Sequence, residues 1–328
     1  MALAGDNDPG LFHPPGMRAW DNWFAKEGNV YHAFYLEQAS CAKEPLDRSH
    51  VGHASSTDLI HWTNHGPVLV AEKNTWNDRH IATGSAVKHD GKWWMVFTGY
   101  GTKTNGVGIA VSDDLMTWKK VGNGPVAPLG EHFDAVWEGK PLKWFGIADP
   151  YIYPEPVDSW FYMIINAGVV DAPIGLRGCI ASMRSRDLKT WEPVGILSWP
   201  QWFERMETPQ LWQRDGRWYL YFGGAHDAGL PPEKFVKEAE ALTSRKVPAR
   251  QPFRGNYVFM SDRFEGPYVP SSKCWLDMRG YIIKVIPGPD GKDVLIITQD
   301  RKISRPYPVT YAPGGSLVIG KPLGTPNP

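Results

Sequence analysis

Three acidic residues stand at comparable places before aromatic, strand-like segments, although they lie far apart along the chain. They are Asp21, Asp149 and Glu207. Cleavage of a glycosidic bond needs two carboxyl groups, one protonated and one ionised. Carboxylates that are held close together raise each other's pKa, which keeps one of them protonated near neutral pH. If the fold gathers these side chains into one place, they predict a site for this chemistry.

A repeated pattern indicates how such residues could be positioned. A strand that ends in Ser and Asp and leads to a Trp occurs at 52–62, 108–118 and 179–191, with a degenerate copy at 257–268. An aromatic strand precedes each copy, and a fifth strand at 294–298 lacks the Ser-Asp tail. Repeats of this size, made of short strands, are typical of propeller blades. We therefore predict an all-β, five-bladed β-propeller in which each Trp packs between blades.

The stretch around Glu207 gives the clearest local signal. Aromatic strand segments flank the dipeptide Asp215-Gly216, which is typical of a tight β-hairpin. Glu207 is therefore expected on an inner strand or at its entry, and the first and third blades hold Asp21 and Asp149 at equivalent places. Because inner strands converge on the propeller axis, the three acids are predicted to share one funnel.

One segment has a helical pattern. Residues 231–242 begin with two prolines and continue with good helix formers, which predicts a short helical insertion between strands of the fourth blade. The tail from Pro306 is rich in Pro and Gly and is predicted to be a closing or loose segment. We expect one catalytic propeller domain over residues 1–328, without a β-sandwich after it.

Composition narrows the kinds of partner. The 328 residues carry 35 basic and 35 acidic side chains, so bulk charge favours neither nucleic acid nor a membrane surface. There is no apolar run long enough to span a bilayer and no signal-peptide pattern at the start, which leaves a cytoplasmic location and secretion with the leader removed both open. Three cysteines and ten histidines show no metal-ligand spacing, so we predict no metal and no cofactor. The oligomeric state stays open.

Four segments, in their order and spacing, resemble the five-bladed propeller glycoside hydrolases of families 32, 68 and 43. The resemblance is closest to the fructofuranosidase-type families 32 and 68 and covers about residues 12–300. The segments are Trp20-Asp21-Asn22-Trp23 with the following strand Tyr31-His32-Ala33-Phe34-Tyr35, then Thr83-Gly84-Ser85-Ala86-Val87, Ile147-Ala148-Asp149-Pro150 and Met206-Glu207-Thr208-Pro209.

The resemblance implies a role for each acid. Asp21 would be the nucleophile, Asp149 the stabiliser of the transition state, and Glu207 the general acid/base. The implied reaction is retaining cleavage of a terminal furanoside, most consistent with a β-fructofuranoside in an oligosaccharide or glycoside, with transfer to water or to another sugar. The residues implied to line the sugar subsite are Trp20, Trp23, Ser85 and Arg205.

Two further residues bear on the sugar site. His80 directly precedes the second inner strand and could reach the funnel. Position 148 is Ala where fructose-acting members carry an Arg, and Arg205 is a candidate to replace that cation. Two alternatives therefore stay open. One is an inverting arabinofuranosidase or xylosidase of the family 43 type, with Asp21 as the base, and the other is a non-catalytic carbohydrate-binding propeller.

Overall fold

The computed structural model describes residues 11–41 and 50–324, except for the side chain of Ile147. These residues form five antiparallel sheets that follow one another along the chain. The strands of blade one are β1 (Met17–Glu27), β2 (Val30–Ala39), β3 (His50–Ser56) and β4 (Thr63–Leu69). Those of blade two are β5 (His80–His89), β6 (Lys92–Tyr100), β7 (Asn105–Ser112), β8 (Lys119–Val121) and β9 (Ala127–Pro128).

The strands of the remaining three blades follow the same meander order, and each of these blades contains a further short element. Blade three comprises β10 (His132–Trp137), β11 (Lys140–Ile152), β12 (Phe161–Val169), β13 (Gly178–Ser185) and β14 (Glu192–Ser198), with a short 3-10 helix at Ile174–Leu176. Blade four comprises β15 (Arg205–Arg214), β16 (Arg217–His226), β17 (Phe253–Ser261) and β18 (Val269–Leu276). Blade five comprises β19 (Tyr281–Pro287), β20 (Asp293–Gln299), β21 (Lys302–Ile303), β22 (Tyr307–Tyr311) and β23 (Leu317–Ile319).

The sheets close into a ring. Inner strands β1, β5, β11, β15 and β19 each pack against the next, and β19 packs against β1. The closure is tied by main-chain hydrogen bonds: the N–H of Ala19 donates to the carbonyl of Arg301 at 2.8 Å, and Phe12 pairs with Ile303. The predicted five-bladed propeller is therefore confirmed, and it brings the inner strands of all blades to one axis.

The hairpin turns follow from their sequences. Asp215 and Gly216 link β15 to β16 with φ values of 52° and 74°. Two successive left-handed residues define the type I′ turn, whose twist matches that of paired strands. Asp90 and Gly91 connect the first two strands of blade two in the same way, with φ values of 48° and 73°. Short turns of this kind fix the register of each inner strand against its neighbour.

The Ser-Asp-Leu repeat forms a capped turn between the third and fourth strands of a blade. In blade two, Ser112 Oγ accepts the N–H of Leu115, and Asp114 Oδ1 accepts the N–H of Thr117 at 2.7 Å. Leu115 is buried, and the following Trp118 packs edge-on against Phe34 of blade one at 5.7 Å between ring centroids. The repeated Trp therefore fills the space between blades, as its position predicts.

The helix and the tail complete the fold. Helix α1 (Glu233–Thr243) lies between β16 and β17 of blade four and buries Phe235 and Ala239, which agrees with the predicted insertion. The tail from Pro306 is not loose within the described residues, because β22 and β23 form the outer strands of blade five. Among the described residues, none of the helices is both long and apolar enough to cross a membrane.

Candidate active site

A break in register interrupts every inner strand. The breaks lie between Trp20 and Trp23, Ala82 and Gly84, Ala148 and Tyr151, Glu207 and Gln210, and Tyr281 and Ile283. Left-handed φ values occur at Asp21 (48°), Asp149 (60°), Thr208 (47°) and Ile282 (67°). A β-bulge changes the direction of the side chains around it, and left-handed backbone at residues other than glycine is concentrated at functional sites. Four blades therefore use local strain where their inner strands face the axis.

The three acids line one cavity of about 640 Å³ at the propeller axis. Asp21 comes from β1, Asp149 from β11 and Glu207 from β15, so each carboxyl group is held by a different blade. The predicted gathering of these side chains is thus present in the structure. The other polar and aromatic residues that shape the cavity include Trp20, Tyr100, Asn166, Arg205, Arg254 and Arg301.

Asp21 is held by one hydrogen bond and destabilised in its charged form. The hydroxyl of Thr83 donates to Asp21 Oδ2 at 2.8 Å. Burial raises the pKa of Asp21 to about 7, and the neighbouring carboxylates of Asp149 and Glu207 contribute to that increase. The Thr83 hydrogen bond and the ammonium of Lys284 act in the opposite direction. Asp21 therefore changes its charge close to neutral pH.

Asp149 is the most enclosed of the three acids, with 8% exposure. Its Oδ2 accepts the N–H of Thr208 at 3.0 Å and lies 3.4 Å from the Nδ2 donor of Asn166. Its own N–H donates to the hydroxyl of Thr98 at 3.0 Å. Burial raises the pKa of Asp149, and the carboxylate of Glu207 adds to this effect. A main-chain donor from blade four and a side-chain donor from blade three thus fix the carboxyl group in place.

Glu207 is surrounded by donors. The hydroxyl of Tyr281 donates to Glu207 Oε2 at 2.6 Å, Arg205 Nη1 lies 3.4 Å from Oε1, and Arg254 Nη1 lies 4.0 Å from Oε2. Both arginines also form ion pairs with Asp227, which anchors them at the edge of the cavity. This network orients the Glu207 carboxyl group from three directions.

The structure separates the predicted sugar-binding residues into two groups. Trp20 and Arg205 line the cavity with the acids. Trp23 instead stacks on Phe34 with ring centroids 6.1 Å apart, and Ser85 Oγ accepts the N–H of a blade-three residue, Ile152, at 2.8 Å. Both lie two residues beyond the cavity-facing positions of their strands, roughly 6–7 Å further along the axis. Their positions do not support the prediction that they contact the sugar.

His80 also lies outside the set of residues that line the cavity. Its ring stacks on that of Tyr100 at 4.5 Å between centroids, and Tyr100 lines the cavity. His80 therefore supports a residue of the cavity wall, and its position does not support the prediction of sugar contact. On the inner strand of the second blade, the residue whose side chain donates to one of the acids is Thr83.

Several cavity residues escape the reasoning from sequence. Asn166 lies opposite Ala148 in the β11–β12 pair, where a polar residue within an otherwise apolar strand is a usable signal. Tyr281 gives no comparable signal, because the sequence pattern of blade five locates its second strand and not its inner one. Arg254 lies on β17 of blade four, just before the degenerate repeat that begins at Tyr257. In the described part of the chain, no group of three or more His, Cys, Asp or Glu side chains could hold a metal ion.

A five-bladed propeller with carboxylates from three blades at its axis has the architecture of the propeller glycoside hydrolases that the sequence resembles. Comparison with known families places it more closely: residues 21–217 match the family described as "Glycosyl hydrolases family 32 N-terminal domain". The chain belongs to glycosyl hydrolase family 32.

Individual relatives agree with this assignment. The chain is 28% identical over 209 residues to the sucrose-6-phosphate hydrolase of Klebsiella pneumoniae, which covers 60% of this chain and 40% of the relative. The curated relatives are thus matched over less than half of their own length.

Solved structures share the fold. The sucrose-6-phosphate hydrolase of Lactobacillus gasseri superposes with a TM-score of 0.70 at 18% identity, covering 97% of this chain and 64% of that one. The inulosucrase of Halalkalicoccus jeotgali bound to kestose gives 0.69 at 18% identity, covering 95% and 89%. At these identities the likeness concerns the propeller itself.

Proposed function

We propose that this protein cleaves the terminal glycosidic bond of a β-fructofuranoside with retention of configuration. The observation that carries the proposal is the meeting of Asp21, Asp149 and Glu207 in one cavity on three separate blades. Membership of glycosyl hydrolase family 32 supports the same reaction class. A site built on rigid sheets holds its carboxyl groups at a fixed separation, which a two-carboxylate mechanism requires.

The first step assigns a role to each acid. Glu207 donates its proton to the glycosidic oxygen as the bond from that oxygen to the anomeric carbon breaks. Asp21 attacks the anomeric carbon in its ionised form and becomes the ester oxygen of a glycosyl-enzyme intermediate. Asp149, held by Thr208 and Asn166, stabilises the positive charge that develops on the sugar ring.

The second step reverses these roles. Glu207, now ionised, removes a proton from water or from a sugar hydroxyl, and the resulting oxygen nucleophile displaces Asp21 from the anomeric carbon. Two inversions at one carbon give net retention. The hydrogen bond from Tyr281 and the contact with Arg205 keep the Glu207 carboxyl group in one orientation through both steps.

The substrates to test first follow from the relatives. Two of them are named sucrose-6-phosphate hydrolases, and the inulosucrase structure holds kestose. We therefore propose sucrose, sucrose 6-phosphate and kestose as the first panel. Trp20, whose ring lies beneath the guanidinium of Arg301 at 5.7 Å, offers an aromatic face on which a sugar could stack.

One observation favours a second candidate reaction. Ala148 lines the cavity in the place where an Arg is expected for fructose recognition, and its methyl group cannot donate to sugar hydroxyls. Arg205 lies elsewhere on the cavity wall, where it is engaged by Glu207 and Asp227. An inverting arabinofuranosidase or xylosidase, with Asp21 as base, is the alternative that this difference supports.

Product analysis by NMR separates these reactions. The purified protein is incubated with the fructoside panel and with aryl arabinofuranosides and xylosides, and the anomer released first is recorded. Release of β-fructofuranose, with the configuration retained, supports the proposal, whereas a pentose released with inverted configuration supports the alternative. Turnover on no member of either panel, by folded protein, would contradict the enzymatic proposal and favour a carbohydrate-binding protein.

A further inference from the structure

Lys284 is a cation buried at the propeller axis, with 3% exposure. It lies on β19 of blade five, and its Nζ donates to the carbonyl oxygens of Thr208 at 2.8 Å and Pro209 at 3.3 Å. A buried ammonium group is costly, so its partners must account for its presence. Two carbonyl groups satisfy part of its hydrogen-bonding capacity.

The segment that Lys284 binds is the bulge that follows Glu207. Thr208 has a left-handed backbone, with φ of 47°. Its N–H donates to Asp149 while its carbonyl accepts from Lys284, so one strained residue is held from both ends. The direction of the Glu207 side chain depends on this backbone, because Glu207 immediately precedes it.

Lys284 lies in a cluster of charged side chains that contains more carboxylates than cations. Burial lowers the pKa of Lys284 to about 8, while the carboxylates of Asp149 and Asp21 favour its charged form. The ring of Tyr151 lies 5.9 Å from its Nζ. In turn, Asp21 interacts with Asp149, Glu207 and Lys284, and also with Arg301. Of the two cations that interact with Asp21, Lys284 is buried, whereas Arg301 lies at the cavity wall.

We propose that Lys284 is a positioning residue for the glycosidase site. It fixes the Thr208–Pro209 backbone beneath Glu207, and its ammonium offsets the carboxylates so that Asp21 and Asp149 can be ionised together. The inference rests on the proposed function for its catalytic meaning, but its electrostatic part concerns the protein without substrate. Both parts are tested with the same variants.

Two substitutions separate the backbone contact from the charge. Lys284→Gln keeps a donor for the carbonyl groups and removes the charge, whereas Lys284→Met removes both. Lys292→Met is the matched control, because Lys292 is an exposed lysine in the turn of the same blade. We expect kcat to fall at least about 10-fold in the Met variant and less in the Gln variant, since the misplaced acid costs rate.

The pH profile distinguishes positioning from mere stabilisation. Loss of a nearby positive charge disfavours ionised Asp21, so the acidic limb of kcat/KM should move upward by about half a pH unit or more in both variants. A residue with only a structural role would lower stability and leave that limb where it is. The Lys292→Met control should show the wild-type limb.

Thermal stability gives a reading that does not depend on activity. Between pH 4 and pH 7 the lysine stays charged in both the folded and unfolded states, so only the carboxylates change. Without Lys284 their ionisation in the folded state is less favourable, and Tm should fall more steeply with rising pH than in the wild type.

Parallel Tm curves for wild type, Lys284→Gln and Lys284→Met would overturn the inference, as would an unmoved acidic limb. An inactive wild type with diverging Tm curves would instead overturn the proposed function and leave the electrostatic role of Lys284 in place. If the Met variant does not fold, the Gln variant alone decides the outcome.

Discussion

The hydroxyl of Tyr281 donates a 2.6 Å hydrogen bond to Glu207 Oε2, which joins the first strand of blade five to the candidate acid/base of blade four. Room for this contact comes from Gly223, which lies opposite Glu207 in the β15–β16 pair. A Cβ at Gly223 would lie 2.6 Å from Cζ of Tyr281 and 2.7 Å from its hydroxyl oxygen. The glycine and the tyrosine therefore act as one unit.

Removing the tyrosine hydroxyl should slow the reaction without unfolding the chain. A hydrogen bond to a charged group is worth roughly 1.5–3 kcal/mol, so Tyr281→Phe is expected to lower kcat by about 10- to 100-fold. Gly223→Ala should give a similar loss because the new methyl group displaces Tyr281. Steady-state kinetics and circular dichroism check this. Wild-type kcat in Tyr281→Phe would contradict the assigned role.

The acids themselves should be essential for rate and dispensable for folding. Glu207→Gln and Asp21→Asn are each expected to reduce kcat by about 10³-fold or more, since each removes a group that takes part in bond making or breaking. Exposed carboxyl groups offer matched controls, for which we choose Glu155→Gln and Asp171→Asn. The controls should keep wild-type activity. Near-normal turnover by either active-site variant, confirmed as folded, would remove its assignment.

Asp21 should make the folded protein less stable as pH rises. Its pKa is about 7 in the folded state and 3.8 as an ordinary aspartate, so the folded state binds the proton more tightly. Stability is therefore unaffected by this group below about pH 4 and is lost between about pH 4 and pH 7. Asp21→Asn should raise Tm at pH 8 and leave it nearly unchanged at pH 4. Equal shifts at both pH values would contradict the raised pKa.

The same ionisation should limit catalysis on the acidic side. Only ionised Asp21 can attack the anomeric carbon, so the acidic limb of kcat/KM in the wild type is expected to have its midpoint near pH 7. A profile measured from pH 4 to pH 9 tests this. A constant kcat/KM from pH 4 to pH 7 would show that Asp21 is ionised throughout that range.

Asp227 should matter because it holds two arginines that line the cavity. It pairs with Arg205 and Arg254, which both also approach Glu207. Asp227→Asn removes the charge that anchors them, and we expect kcat/KM to fall by about 10-fold, mainly through KM. Asp262→Asn, at an exposed ion pair with Arg217, is the control and should behave as wild type. An unchanged KM in Asp227→Asn would show that the arginines keep their positions without it.

The sequence predicts the blades well because each blade carries its own short-range sequence patterns. Aromatic strands, the Asp215-Gly216 turn and the Ser-Asp-Leu turn are short-range patterns, and the structure confirms them. The convergence of Asp21, Asp149 and Glu207 on one cavity was also predictable, because they stand at one place in a repeated unit. Their catalytic roles stay predictions. This kind of reasoning works for the place of a residue along its own blade.

Prediction from sequence fails where the contacts of a side chain depend on how two blades meet. Ser85 belongs to a segment that resembles a sugar-binding motif, yet its side chain bonds to Ile152 of the next blade. Thr83, which lies at the register break between Ala82 and Gly84, is the residue that faces the cavity and donates to Asp21. A bulge of one residue leaves no mark in the hydrophobic pattern, so the depth of each side chain along the axis could not be read from the sequence.

The central claim is that Asp21 forms a bond to the sugar. A fructosyl donor with a good leaving group, such as fluoride, needs little acid assistance for the first step, so the Glu207→Gln variant should form the glycosyl-enzyme and hydrolyse it slowly. Mass spectrometry after rapid quenching and digestion should find one fructosyl group on the peptide that contains Asp21. Release of fructose without any adduct, or an adduct on a different residue, would contradict the account.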